Sequence, residues 1–145
     1  MKYIQFIIIF LFSVLSFGQN TEADTDKFVH TIGVGHELTG YPTLHYIAKE
    51  DYKKYTFIFK NEEYVRADDI KFFYFLSKDT SLNDFYNFLV EAFDKDQETQ
   101  LSIGDVTVIA QKVHSSIKIT VKYPDQASGW FKIKKRPLDK LFGKL

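Results

Sequence analysis

Apolar and polar residues alternate from Phe28 to Leu38. Phe28, His30, Ile32, Val34, His36 and Leu38 fall on one side, and Val29, Thr31, Gly33, Gly35 and Glu37 on the other. This two-residue period predicts a half-buried strand with its glycines on the outer face. Thr39-Gly40-Tyr41-Pro42 follows as a turn, because proline pre-sets its own backbone angle and Gly40 accepts a positive one. Leu44, Tyr46 and Ala48 mark a second strand and Tyr55, Phe57 and Phe59 a third, with a charged turn at Glu50-Asp51 between them. Asn61-Glu62-Glu63 turns the chain into a fourth run, Ile70 to Leu76, apolar on both faces from Phe72 onward. A helix laid over one side of the sheet accounts for that double-sided pattern.

The period changes after Ser81. Leu82, Phe85, Tyr86, Leu89 and Phe93 recur at helical spacing to about Lys95. Ser81 is the expected N-cap, and Asp84 stands where a carboxylate serves the first turn. LSIGDVTV then reads as a two-residue hairpin with Gly104 and Asp105 at its tip. A second tight connection at His114-Ser115 pairs Val108 with Val121, Ala110 with Ile119 and Lys112 with Ile117. The opposite face then holds Thr107, Ile109, Gln111, Lys118, Thr120 and Lys122. A longer turn from Pro124 to Gly129 leads to a strand through Phe131 and Ile133. Pro137 suits the first turn of a short terminal helix carrying Leu138, Leu141 and Phe142. The order predicts an α+β fold: a largely antiparallel, meandering sheet of about eight strands, a central helix over about 81–95 packed on it, and a short C-terminal helix.

The first residues obey neither period. A lysine at position 2, an uncharged apolar run from Ile4 to Phe17 and small residues at Ser16 and Gly18 match the charged, apolar and cleavage regions of a secretory signal peptide. The run falls short of the roughly 20 residues a spanning helix needs, so cleavage is expected between Gly18 and Gln19 and the membrane is met only through this segment. The mature protein is then periplasmic or secreted. Residues 19–26, QNTEADTD, read as a flexible entry segment, and 27–145 as one globular α+β domain. Exported domains often lean on disulfides, but this sequence has no cysteine. The 127 residues left from 145 after the expected cut suffice, since a domain of that length buries about two thirds of its unfolded surface.

Charge alters this picture only locally. Nineteen basic and nineteen acidic residues balance, which argues against nucleic acid as a partner. Asp84, Glu91, Asp94, Asp96 and Glu98 nevertheless gather against Lys95 alone, while Lys132, Lys134, Lys135, Arg136, Lys140 and Lys144 gather against Asp139. On the predicted outer face of the last three strands, Lys118, Lys122, Lys132 and Lys134 surround Trp130 and Ile109. Like charges on neighbouring strands repel, and an anionic envelope component or a partner protein would relieve that repulsion.

The motifs that suggest chemistry dissolve on inspection. GVGHELTG lacks the third glycine of a dinucleotide fingerprint and sits in a strand, and no Gly-Lys-Ser/Thr closes a phosphate loop. His30 and His36 lie about 20 Å apart on an extended strand at roughly 3.3 Å per residue, too far to share an ion without a bulge. His36 and His45, across the Gly-Tyr-Pro turn, are the remaining candidate metal ligands. No serine stands at a strand-to-helix elbow, and Asp68 and Asp69, adjacent on an extended chain, point to opposite faces. No cofactor and no catalytic residue is assigned.

These observations lead to an exported binding or interaction protein, leaning away from catalysis. Its expected binding face is Ile109, Lys118, Lys122, Trp130, Lys132 and Lys134. Two alternatives stay open: a small exported hydrolase, or a carrier of a small apolar ligand, the latter because the 11 Phe, 8 Tyr and one Trp that follow the expected cut are enough to line a pocket.

Overall fold

The computed structural model describes residues 28–145. The expected leader and entry segment, 1–26, lie outside the described residues. The fold is α+β. Eight antiparallel strands form two meanders of four with a helix between them. The first sheet runs β1 (His30–Val34), β2 (Thr43–Ala48), β3 (Lys53–Lys60) and β4 (Ile70–Leu76). Helix α1 (Leu82–Glu91) follows. The second sheet runs β5 (Thr99–Ile103), β6 (Val106–Val113), β7 (Ser116–Lys122) and β8 (Gly129–Lys134), and α2 (Lys135–Leu141) ends the order. The meander expected as one sheet is therefore divided in two, with α1 between the halves.

The inward faces of both sheets and both helices share one core. Phe85 of α1 is its hub: its ring meets Phe57, Phe73, Phe75 and Phe142 at centroid distances of 5.4–6.1 Å. Phe131 of β8 bridges the sheets, lying 5.8 Å from Phe57 and 5.0 Å from Phe59. Edge-to-face and offset pairs of this kind add about 0.5–1.5 kcal/mol each beyond area burial. Phenylalanine thus dominates where α1 and β8 meet the first sheet, while Ile117, Ile119, Val108 and Val121 fill the inner face of the second.

Local chemistry fixes the connections. The Ser81 hydroxyl accepts from the Asp84 amide at 3.0 Å, capping α1 as expected, although the helix stops at Glu91, so that Asp94, Asp96 and Glu98 of the acidic cluster fall beyond it. Gly104 takes φ +55° at the tip of the β5–β6 hairpin, and Val108–Val121, Ala110–Ile119 and Lys112–Ile117 pair across β6 and β7 in the expected register. Gly40 takes φ +73°, and the Tyr41–Pro42 peptide is cis.

The first strand departs from its pattern. His30 pairs with Tyr46 and Thr31 with His45, but Gly33 pairs with Leu44, so Ile32 is an inserted bulge residue. A bulge reverses the phase of everything after it. Gly33, expected on the outer face, therefore turns inward against the backbone of α2, where an added Cβ would lie 2.1 Å from the Lys140 carbonyl oxygen. Gly35 is buried as well, with an added Cβ facing Pro42 and Ile133. The double-sided apolar run in β4 has a different cause from the expected one. Phe73 and Phe75 pack beneath α1, whereas Phe72 and Tyr74 on the other face are 53% and 45% exposed.

A polar cluster pins α1 to α2. The Tyr86 hydroxyl donates to Asp139 Oδ1 at 2.7 Å, and the Lys135 ammonium donates to both the same oxygen and the Tyr86 hydroxyl. Burial alone would raise the Asp139 carboxyl, but the bonds from Lys135 and Tyr86 outweigh it and hold it below the usual carboxylate range. Burial likewise opposes the Lys135 charge, while Asp139 and Tyr86 raise its pKa above that of an ordinary lysine. A depressed carboxyl stabilises the fold above its unfolded pKa of about 3.9, and this contribution is lost as pH falls through the folded value. The lysine's contribution is present below about 10.4 and lost as pH rises through its elevated value. Asp139→Asn should therefore cost about 1 kcal/mol in urea denaturation at neutral pH, allowing for partial solvent screening. The cost should shrink toward zero well below pH 4; a pH-independent difference would show the ion pair to be inert.

Candidate functional site: the Trp130 face and its cleft

Strand alternation decides which side chains share the outer face of the second sheet. Ile117, Ile119, Val121, Phe131 and Ile133 are buried inward, so Lys118, Thr120, Lys122, Trp130, Lys132 and Lys134 project outward. The register sets them in rows. Gln100, Ile109, Thr120 and Trp130 form one row across β5–β8, and Gln111, Lys118 and Lys132 the next. Lys122 stands opposite Thr107 and Lys134 opposite Ser116. The six residues expected to share a face do so. Ile109 is only 8% exposed, however, so it packs within the row and offers almost no contact area.

Lys118 and Lys132 are directly opposed across β7 and β8, an unfavourable placement for two like charges. Trp130 stands in the neighbouring row, opposite Thr120, and both ammoniums reach its ring. The Lys118 ammonium sits 4.6 Å and the Lys132 ammonium 5.9 Å from the centre of its ring. Such contacts return about 0.5–1 kcal/mol at exposed sites, which moderates the repulsion without removing it. Lys60, Lys71, Lys95, Lys135 and Lys140 each face a carboxylate. Among the described residues, Lys118, Lys122, Lys132 and Lys134 form no ion pair.

Beside Trp130 the surface opens into a cleft of about 430 Å³, where the end of β3 meets β8. That volume lies in the range of small-molecule sites, about 300–1,000 Å³. Phe59, Phe131 and Pro42, all buried, line its interior side. Trp130 and Lys132 contribute one wall, and His36 and Tyr41 from the β1–β2 connection line it too. The β3–β4 connection supplies Tyr64 and Val65, which are 53% and 88% exposed. The cleft interrupts the edge of the core, where the phenylalanine packing ends.

Asn61 holds this junction together. It is fully buried, donates from Nδ2 to Asp69 Oδ2 at 2.8 Å, and accepts at Oδ1 from the amides of Trp130 at 3.0 Å and Glu63 at 3.3 Å. Its neighbour Glu62 continues the contact: its amide donates to the Trp130 carbonyl at 2.8 Å, and its Oε1 accepts from the Lys132 amide at 3.2 Å. Asn61 and Glu62 thereby occupy backbone groups on the edge of β8 that would otherwise invite strand pairing. Asp69 shares the junction with Lys71 at 3.9 Å, and burial first, then the Asp69 charge, push the nearby Tyr123 hydroxyl to a raised pKa.

Other candidates are dispersed. His45 lies opposite Thr31 and shares a 3.1 Å hydrogen bond with its hydroxyl, whereas His36 lies beyond the end of β1 near Pro42. Two rungs of ladder past the Thr31–His45 pair and two further residues of the connection, together roughly 13 Å at about 3.3 Å per residue, separate the two backbone positions. Among the described residues, no group of three His, Cys, Asp or Glu is placed to hold a metal ion. Asp68 and Asp69 diverge: Asp68 is exposed and paired with Lys60 at 2.8 Å, which holds its carboxyl below the usual range, while Asp69 serves Asn61.

Sequence reasoning found the Trp130 face and missed the cleft. The signal for the cleft was Tyr64-Val65, an apolar pair inside the otherwise polar run NEEYVRADD. No protein-family model matches the chain, and no curated protein or solved structure is significantly similar to it.

Proposed function

We propose that this is an exported binding protein that engages an anionic envelope component or an acidic partner protein through the outer face of β7 and β8. The observation that carries the proposal is the clustering around Trp130 of Lys118, Lys122, Lys132 and Lys134, none of which has a carboxylate partner among the described residues. An anionic surface supplies the missing counter-charges and relieves the opposed pair. Export rests on the leader-like pattern that ends at Gly18.

The test uses protein recovered from the exported fraction, where Gln19 is the expected first residue. Lys118→Glu with Lys132→Glu should reduce retention on anionic phospholipid vesicles or on an acidic polysaccharide at least about tenfold, since each lysine near such a surface contributes on the order of 1 kcal/mol. Wild-type retention should also fall as salt is raised. Unchanged retention removes the binding face, and a product found only in the cytoplasm with Met1 still attached removes export.

A further inference from the structure

We propose that the cleft beside Trp130 is a binding site for a small amphiphilic acid: one apolar chain or ring carrying a single carboxylate or phosphate head. The proposal shares Lys132 with the anion-binding face but goes beyond it, because the cleft's residues imply a discrete small ligand and not an extended partner. Phe59 and Phe131, 0% and 3% exposed and 5.0 Å apart, close the floor of the cleft, and the apolar surface that an aliphatic or aromatic body would cover comes from the half-buried Tyr41 and Trp130 and from Tyr64 and Val65. Val65, 88% exposed at the rim beside Tyr64, 53% exposed, forms with it a small apolar patch that a bound apolar body would cover.

The charges at the same opening select the head group. Lys60 is already neutralised by Asp68 at 2.8 Å, and the Glu62 carboxylate, which keeps its charge, is held against the β8 backbone by the Lys132 amide at 3.2 Å. That leaves the Lys132 ammonium without a carboxylate and the His36 ring without a hydrogen-bond partner among the described residues. An apolar interior bordered by an unpaired cation and a free imidazole is complementary to an acid with an apolar body, and mismatched to a neutral oil or a cation. The volume of about 430 Å³ holds one such molecule.

Trp130 is the one tryptophan of the sequence and lines the cleft, so its fluorescence reports on this site. The exported protein should be titrated with decanoate, with 1,2-decanediol as the apolar body without charge and acetate as the head without the body. Decanoate should give a saturable change at a concentration at least tenfold below that needed for either control, with backbone amide shifts in NMR concentrated at Phe131, Lys132 and Glu62. Lys132→Glu and Val65→Glu should each weaken decanoate at least fivefold, while the charge-matched control Lys112→Glu, on exposed β6 surface outside the cleft, leaves it unchanged. Equal response to decanoate and the diol, an equal response to acetate, amide shifts scattered away from the cleft, or indifference to Val65→Glu would each overturn the proposal. Retention on anionic vesicles is measured on the same variants and on Lys118→Glu. Loss of retention without loss of decanoate binding, or the reverse, identifies which of the two readings fails.

Discussion

Gly33→Ala should be among the most damaging single methyl additions in this protein, costing about 3 kcal/mol and lowering the melting temperature by roughly 10 °C. The reason lies in the bulge at Ile32, which turns Gly33 toward α2. An alanine Cβ there would lie 2.1 Å from the Lys140 carbonyl oxygen and 2.6 Å from that of Leu141. Both are backbone atoms, so no rotamer change relieves the overlap and α2 itself must move. That helix and the residue after it deliver Leu138, Leu141 and Phe142 to the core, at 0%, 0% and 3% exposure. Displacing them exposes apolar surface and loosens the Phe85–Phe142 contact, 5.6 Å between ring centres. Gly40→Ala is the matched control. Gly40 has φ +73° and open space around its Cβ position, so alanine there should cost only about 1 kcal/mol of backbone strain. Calorimetry of the two variants decides the matter: a Gly33→Ala protein no less stable than Gly40→Ala would mean that α2 does not press on β1.

The contrast between the two glycines shows what the sequence disclosed and what it withheld. Wherever structure follows from contacts close along the chain, the pattern of residue types was sufficient. The Gly104-Asp105 hairpin, the Ser81 cap and the Val108–Val121 register are all local, and all stand as expected. The face holding Trp130 and its lysines followed from alternation once that register was set. The bulge was not legible, because nothing in HTIGV distinguishes an inserted residue from a paired one until α2, more than one hundred residues later, claims the space beside Gly33. The same holds for Phe72 and Tyr74, where an apolar residue type gave no indication that its face is left exposed. The junction of the two sheets, where the cleft lies, includes Asn61 reaching Trp130, a contact across 69 positions that no period in the sequence encodes.

Asn61→Leu is expected to cost about 3 kcal/mol, because leucine keeps the volume but removes every hydrogen bond made by the Asn61 side chain. The Trp130 amide loses its acceptor at 3.0 Å, the Glu63 amide loses its acceptor at 3.3 Å, and the Asp69 carboxylate loses its donor at 2.8 Å. Groups left unpaired by removal of one partner cost about 1–3 kcal/mol each where water cannot reach them. Asp69 is 31% exposed and has Lys71 nearby at 3.9 Å, so the two amides should dominate. Because Glu62 keeps its own bonds to β8, the strand edge should loosen before it separates. Amide hydrogen exchange should accelerate at Trp130 well before it does at Ile119, which lies in the centre of the sheet. Asn61→Asp separates hydrogen bonding from charge: it retains the acceptor for Trp130 but sets a second carboxylate against Asp69. One of two carboxyls sharing a site takes a raised pKa, so the folded protein binds a proton more readily than the unfolded chain. Its stability deficit should therefore be largest at neutral pH and diminish as pH falls toward 4, opposite in sign to the behaviour of wild-type Asp139. Urea denaturation across that range resolves the two. If Asn61→Leu matches the wild type while Asn61→Asp shows no recovery on acidification, the two sheets are joined by their phenylalanine core alone and the asparagine is incidental.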